Sequence, residues 1–149
     1  MGKKDRIRVE PDREPRAQSA ALPWRRGADG AVEVLLITSR ETRRWVIPKG
    51  WPIKGLTSAE SAAREAFEEA GVEGVTSGKK LGVYHYDKRL RSGRLQQVRV
   101  SVYGLQVLRE LDAWPEKGQR EHLWTGVAEA AGRVDEPDLQ RLIAAFSPA

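Results

Sequence analysis

With 149 residues, a net charge of +5 and a pI near 9.7, the chain has the length of one domain around a single core, and its positive balance favours polyanionic ligands. The absence of cysteine excludes disulfides and thiolate–zinc sites and is compatible with a reducing compartment. No apolar run approaches the roughly 20 residues of a membrane span, and the N-terminus lacks the apolar stretch of a signal peptide, so a cytoplasmic protein with no membrane partner is expected.

Residues 1–16 read as a flexible tail, because charged residues together with Pro11 and Pro15 leave little to bury, and 17–149 read as one domain. A strand is expected over 18–26, a turn at Gly27-Ala28-Asp29-Gly30, and a buried strand over the aliphatic run 32–38. A short strand over 45–47 ends at Pro48. Thr57 followed three residues later by Glu60 is a capping-box pattern. It opens a helix whose stripe Ala59, Ala63, Ala66, Phe67 and Ala70 faces a core, and Gly71 suits the left-handed residue that closes it. Two long strands follow, over 74–86 and 95–108, with the basic stretch 87–94 as their hairpin loop. A strand near 121–124, a short helix over 127–131 and a last helix over 138–146 complete the chain. This order gives an α/β or α+β domain with helices packed on a mixed sheet.

The most informative segment is Arg64-Glu65-Ala66-Phe67-Glu68-Glu69-Ala70-Gly71-Val72. Glu65, Glu68 and Glu69 stand at helical spacings of three and four, close enough on one face to share bound metal. Three clustered anions repel one another, so cations stabilise the cluster. Oxygen-only ligation points to Mg²⁺ or Mn²⁺. A solvated Glu-rich helix is the plainer alternative, of about equal weight for this segment taken alone.

The flanking residues shift that balance. The segment 50–72 resembles the signature box of the Nudix hydrolases: Gly, five residues, Glu, seven residues, Arg-Glu, an aliphatic, any residue, Glu-Glu, any residue, Gly, an aliphatic. Gly50, Arg64, Glu65, Glu68, Glu69, Gly71 and Val72 match at the right spacing, with Ala66 a small stand-in. Five such matches arise by chance at roughly one in a million starting positions. One position departs: Leu56 stands where the box has its first Glu. By resemblance that Glu helps orient the box arginine and is not a main metal ligand. Glu60 is expected to reach Arg64 instead, as an i,i+4 pair.

The resemblance implies an α/β/α sandwich with a mixed sheet and an enzyme that cleaves nucleoside diphosphates linked to another moiety, or related pyrophosphates, by attack of water on phosphorus. Divalent cations neutralise the charge that protects a phosphoanhydride, and positioning and electrostatics supply most of the rest. Glu65 and Glu69 are the candidate metal ligands, with the Gly50 carbonyl a further one, since glycine lets backbone approach closely. Glu68 is the candidate base, and the roles can exchange among the three glutamates. Arg64 is expected to orient them.

A closer resemblance, over roughly residues 18–146, is to the diphosphoinositol polyphosphate phosphohydrolase branch, whose members also hydrolyse dinucleoside polyphosphates. It rests on Arg40-Glu41-Thr42-Arg43-Arg44-Trp45-Val46-Ile47-Pro48-Lys49-Gly50. The implied partner is a polyphosphorylated small molecule. Arg25, Arg26, Arg40, Arg43, Arg44 and Lys49 precede the metal helix, and Lys88, Arg89, Arg91 and Arg94 follow it. Taken as a set they suit a phosphate-binding rim, with Arg40 and Lys49 the best individual candidates; each arginine alone is more often plain surface. Trp51 has the best claim to stack on a base, ahead of Tyr84, Tyr86 and Trp124. His85 and His122 lack metal-ligand spacing. Glu116 or Glu121 could supply an extra carboxylate, although a plain loop charge is the commoner role.

Two other readings compete with the hydrolase. Leu56 favours a catalytically silent Nudix-fold nucleotide sensor, against which stands the retention of all three glutamates. An RNA 5′-end pyrophosphohydrolase suits the charge, but no aromatic-and-basic RNA platform is legible, so nucleic acid is disfavoured as a partner. Homodimers are common among proteins of this kind, and no segment marks an interface.

Overall fold

The computed structural model describes residues 16–148. The expected tail, except for Arg16, lies outside the described residues. The first strands, β1 (Arg16–Arg26) and β2 (Val32–Thr38), are followed by the short β3 (Trp45–Val46) and β4 (Lys49–Gly50). Helix α1 (Ser58–Ala70) leads to β5 (Val72–Val75), β6 (Lys80–Arg89), β7 (Leu95–Glu110) and β8 (His122–Gly126). Helices α2 (Val127–Arg133) and α3 (Pro137–Ala144) end the described chain.

All strands join one mixed sheet in the order β3-β2-β1-β7-β5, with β4 also on β1, β6 on β7 and β8 on β2. The β1–β7 pair is parallel and the others are antiparallel. Strand alternation divides the core in two. Ala20, Leu22, Val34 and Leu36 face α2 and α3, where Ala130, Leu139 and Ile143 meet them. Ala21, Leu35 and Ile37 face α1 through Ala59, Ala62, Ala66 and Ala70. The continuous apolar run in β2 is what a strand covered on both faces requires. The result is the expected three-layer α/β/α arrangement.

Three expectations need correction. The strand expected over 74–86 is broken: β5 ends at Val75, and the chain turns through Gly78, at φ +82°, before β6 begins. Gly74 sits at a bulge against β7, where a Cβ would come within 1.8 Å of the Gln106 carbonyl oxygen, so only glycine fits that crossing. The hairpin loop is also shorter than expected. Pairing of Lys88 with Gln96 and Arg89 with Leu95 extends both strands into the expected loop, placing these cations on β6. The packed face of α1 is likewise centred on Ala62, with Ala63 and Phe67 half-buried at its side.

The site is positioned by a divergence of strands. The second half of β1 pairs with β2, while its first half pairs with β4, Ser19 opposite Gly50 and Ala20 opposite Lys49. The Ala21 amide donates to the Pro48 carbonyl at 3.0 Å, continuing the same ladder along β1. Lys49 and Gly50 are thereby wedged beside α1.

Candidate functional site

Helix α1 is closed at both ends by the residues its sequence signals. The Thr57 side chain accepts from the Glu60 amide, and the Glu60 carboxylate accepts from the Thr57 amide. Gly71 takes the left-handed conformation at φ +68°, its amide reaching back to Ala66 and Phe67. The missing side chain of Gly71 also makes room for the Trp114 ring, which a Cβ would approach to 2.3 Å. The segment after β7 is thus laid over the end of α1: the Leu111 amide donates to the Gly71 carbonyl, and the Glu116 amide to the Glu68 carbonyl. Docking this segment brings Glu116 and Arg120 to the acidic face of the helix.

Glu65 and Glu69 are direct neighbours on that face, each acting on the other's charge. Gly50 lies directly against Glu65; a Cβ there would stand 2.4 Å from the carboxylate carbon. Glu69 is buried and accepts from the Lys49 amide at 3.3 Å. Arg120 stands 3.8 Å from Glu69, donates twice to Glu116 at 2.9 and 3.0 Å, and donates to the Thr38 carbonyl at 3.1 Å. Burial pushes the Glu69 carboxyl up to about 8, with Arg120 opposing the shift and Glu65 adding to it. Glu65 is also raised, first by burial, with its contact to Glu69 acting the other way and Glu68 and Glu116 adding repulsion. Burial lowers the Lys49 ammonium to about 8 against the pull of Glu69. Two repelling carboxylates beside a backbone that approaches without a side chain form an all-oxygen donor set, and that chemistry fits a hard divalent cation.

The third glutamate does not join them. Among the described residues no three acidic or histidine side chains converge as a metal cage. Successive helical residues turn by about 100°, so Glu68 projects well round from Glu69. It lies 3.8 Å from Arg64, both side chains substantially exposed. Glu65, Glu69 and, from elsewhere in the chain, Glu116 line the cleft, whereas Glu68 stands outside its lining. The expected Glu60–Arg64 pair is replaced as well, since Glu60 is engaged at the helix start and Arg64 turns to Glu68.

The pair lies on the floor of a cleft of about 710 Å³. Exposed Arg40 from the segment after β2 and exposed Lys88 and Arg89 from β6 line it, together with Arg44, Lys49, Gly50, Glu116 and Arg120. Arg40 donates to the Gln119 side chain and Arg89 to the Gly93 carbonyl, so neither is neutralised by these contacts. Arg44 is held by Glu136 at 2.9 Å and Asp135 at 3.6 Å. The Lys49 ammonium lies 4.9 Å from the centre of the Tyr86 ring, whose hydroxyl donates to Gln18.

Arg25 lies elsewhere. It pairs with Glu33 and Glu110 and stacks over Trp124 at 4.0 Å, so its place as a substrate-binding candidate is not kept. Of the aromatic candidates, Trp51 and Tyr86 line the cleft, Tyr84 is in the core, and Trp124 stays with Arg25. His85 is exposed on β6, and His122 packs on the Trp114 ring. Glu121 pairs with Arg43, outside the cleft wall. Sequence reasoning missed Arg120 and Glu136. Nothing local marks them, because both act through contacts that only the fold creates.

Comparison with known proteins places this geometry in a family. The family model of the NUDIX domain matches residues 15–146. Nudix hydrolase 12, mitochondrial, of Arabidopsis thaliana is 34% identical over 120 residues, covering 77% of this chain and 58% of the relative. The human diphosphoinositol polyphosphate phosphohydrolase 3-beta is 34% identical over 101 residues, 66% of this chain and 57% of the relative. The chain thus spans little more than half the length of these curated relatives. Among solved structures, a Caenorhabditis elegans Ap4A hydrolase superposes with a TM-score of 0.62 at 18% identity, covering 88% of this chain and 95% of that one. A NUDIX hydrolase from Nitrosomonas europaea gives 0.66 at 17% identity, covering 88% and 87%; at such identities the likeness is one of fold. On the match across 15–146, and on the box residues that lie within it, the chain belongs to the NUDIX domain family.

Proposed function

We propose that the chain is a Mg²⁺-dependent pyrophosphohydrolase that cleaves a phosphoanhydride bond in a highly phosphorylated small molecule by attack of water on phosphorus. The observation that carries this reading is the Glu65–Glu69 pair against Gly50, on the floor of a cleft with basic lips. Glu65, Glu69 and the Gly50 carbonyl would hold the divalent cation, with Glu116 close by. When bound, the cation supplies charge neutralisation at the phosphates and a lowered pKa for water.

The chain's own residues do the rest. Arg40, Lys88 and Arg89 bind outlying phosphates from the two lips, where arginine's planar fork suits paired oxygens. Lys49, held over Tyr86, adds a buried cation to the cleft lining. Glu68 takes the proton of the attacking water. It stands at the edge of the site, more solvated than the pair, so it must reach inward when substrate is bound. Arg64 stands beside Glu68 as an exposed neighbour at 3.8 Å.

Diphosphoinositol polyphosphates and diadenosine polyphosphates are the two favoured substrates. Free cations on both lips suit a molecule with anionic groups on either side of the cleaved bond. The names of the human relative and of the nematode structure point to the same two classes. We also propose a cytoplasmic location.

The test is product analysis with Mg²⁺ on a panel of diphosphoinositol polyphosphates, diadenosine polyphosphates, ADP-ribose and 5′-triphosphorylated RNA, with Glu68→Gln in parallel. Metal-dependent cleavage of one of the two favoured classes, largely lost in the variant, is the expected result. One observation favours a second reading, a silent nucleotide sensor: Leu56 replaces the first box carboxylate. Nucleotide binding without turnover across the panel would decide for it.

A further inference from the structure

The box arginine of this chain is poorly placed to organise anything. Position 56, which would carry its orienting glutamate, is Leu, and the Arg64 side chain is 53% exposed. Its remaining contact, to a Glu68 side chain that is itself 36% exposed, is 3.8 Å long. An exposed pair of that kind contributes little and fixes little.

A second guanidinium stands on the opposite side of the same acidic face. The Arg120 side chain is 9% exposed and spends its donors on three elements. Nε and one terminal nitrogen converge on a single Glu116 oxygen, the other terminal nitrogen donates to the Thr38 carbonyl at the end of β2, and Glu69 of α1 lies 3.8 Å away. The backbone beside Arg120 is fixed too: the Glu121 amide donates to the Thr38 hydroxyl and the Thr38 amide to the Glu121 carbonyl. From the far side, the Glu116 amide is tied to the last turn of α1. The guanidinium is therefore a rigid brace with little room to relax. A buried charge persists only when it is paired, and here both partners are carboxylates of the candidate metal site.

We infer that Arg120, and not the box arginine Arg64, is the positioning residue that holds Glu69 and Glu116 in the arrangement a divalent cation requires. The inference rests on the proposed metal-dependent reading of the site. Lysine at 120 keeps the charge but cannot span Glu116, Thr38 and Glu69 together, so it restores only part of the function.

The test is Mn²⁺ binding to the full chain without substrate, by electron paramagnetic resonance, for wild type, Arg120→Met, Arg120→Lys and Arg64→Met. Metal-free thermal stability is recorded beside it. Loss of an outer partner of a metal ligand lowers affinity by about 10–100-fold, and that loss is expected for Arg120→Met. Arg120→Lys is expected to fall between Arg120→Met and wild type, and it carries the test if the methionine variant does not fold. Arg64→Met is expected to bind nearly as wild type does. Unchanged Mn²⁺ affinity at position 120, with only a lower melting temperature or only a raised KM, would overturn the inference. A larger loss at Arg64 would do the same. If the wild-type chain bound no Mn²⁺, the metal reading itself would fail, an outcome separate from equal binding by wild type and variants.

Discussion

The Glu65 carboxylate occupies the space that any side chain at Gly50 would need, with 2.4 Å between its carbon and a Cβ built there. The backbone at Gly50 is not left-handed, so alanine brings no strain of its own. The clash falls on the end of a flexible side chain, which can swing away at small cost. Gly50→Ala should therefore change stability by less than about 1 kcal/mol. It should still lower turnover by roughly 100-fold, because a ligand moved by an ångström no longer serves the chemistry. Thermal melts and kcat on the same preparation check both halves.

The three box glutamates should separate by the kind of defect they produce. Glu65→Gln and Glu69→Gln are expected to weaken divalent-cation binding and activity together. Glu68→Gln should bind the cation within a few-fold of wild type while losing about 10²–10⁴ in kcat, the usual contribution of a general base. Calorimetric titration with Mg²⁺ beside steady-state kinetics distinguishes the two patterns.

Arg25 and the cleft cations should also part ways. Arg25→Ala removes the stack on Trp124 and two partly exposed ion pairs, so it should cost about 0.5–1 kcal/mol and leave KM unchanged. Arg40→Ala and Arg89→Ala should raise KM severalfold with little effect on stability. Their effect should shrink as salt rises, since exposed charges are screened within about 8 Å at physiological ionic strength. KM at two salt concentrations and urea melts for all three variants provide the comparison.

Restoring the box carboxylate should change little. Leu56 is half-exposed beside Arg64, Glu60 and Phe67 on a shallow groove away from the cleft floor. Leu56→Glu should leave stability within about 0.5 kcal/mol. With Arg120 holding the buried carboxylates, kcat/KM should also stay close to wild type. A large gain in activity would show instead that Arg64 had been waiting for its partner.

His122 gives the fold a mild sensitivity to acid. Burial, and then Arg120, push the imidazole below its usual 6.5, with Glu110 opposing. The folded state thus binds fewer protons than the unfolded chain as pH falls past 6.5, and stability is lost through that window. Replacing His122 with Gln should flatten the dependence of unfolding free energy on pH between about 7 and 5, measured by urea denaturation.

Much of the catalytic half of the protein was legible before the fold. Thr57, Glu60 and Gly71 delimit α1 because capping chemistry is local, and the run 32–38 marks a strand because burial on both faces demands unbroken apolar residues. The break between β5 and β6 was hidden, because a polar turn through Ser77 and Gly78 joins two stretches that alternate alike. The Glu65–Glu69 pair follows from i,i+4 spacing, whereas the isolation of Glu68 depends on what surrounds the helix. Glu116 was legible only as one of two candidate carboxylates beside Glu121, and Arg120 was beyond reach for the same reason. They lie some fifty residues after the box and meet it only because Trp114 packs on Gly71 and the intervening segment is tied to the end of α1. Arg25 looked like a rim cation from its neighbours in sequence, yet the β1–β2 register delivers it to Glu33 and Glu110.

The most direct test is single-turnover hydrolysis in ¹⁸O-labelled water, with and without Mg²⁺, for wild type and Glu69→Gln, on the best substrate of the panel. Water attack at a phosphoanhydride supported by the buried pair predicts one ¹⁸O atom in a phosphate product, formed only with the cation and largely lost in the variant. Label-free product, equal turnover after chelation, or a fully active Glu69→Gln would contradict it.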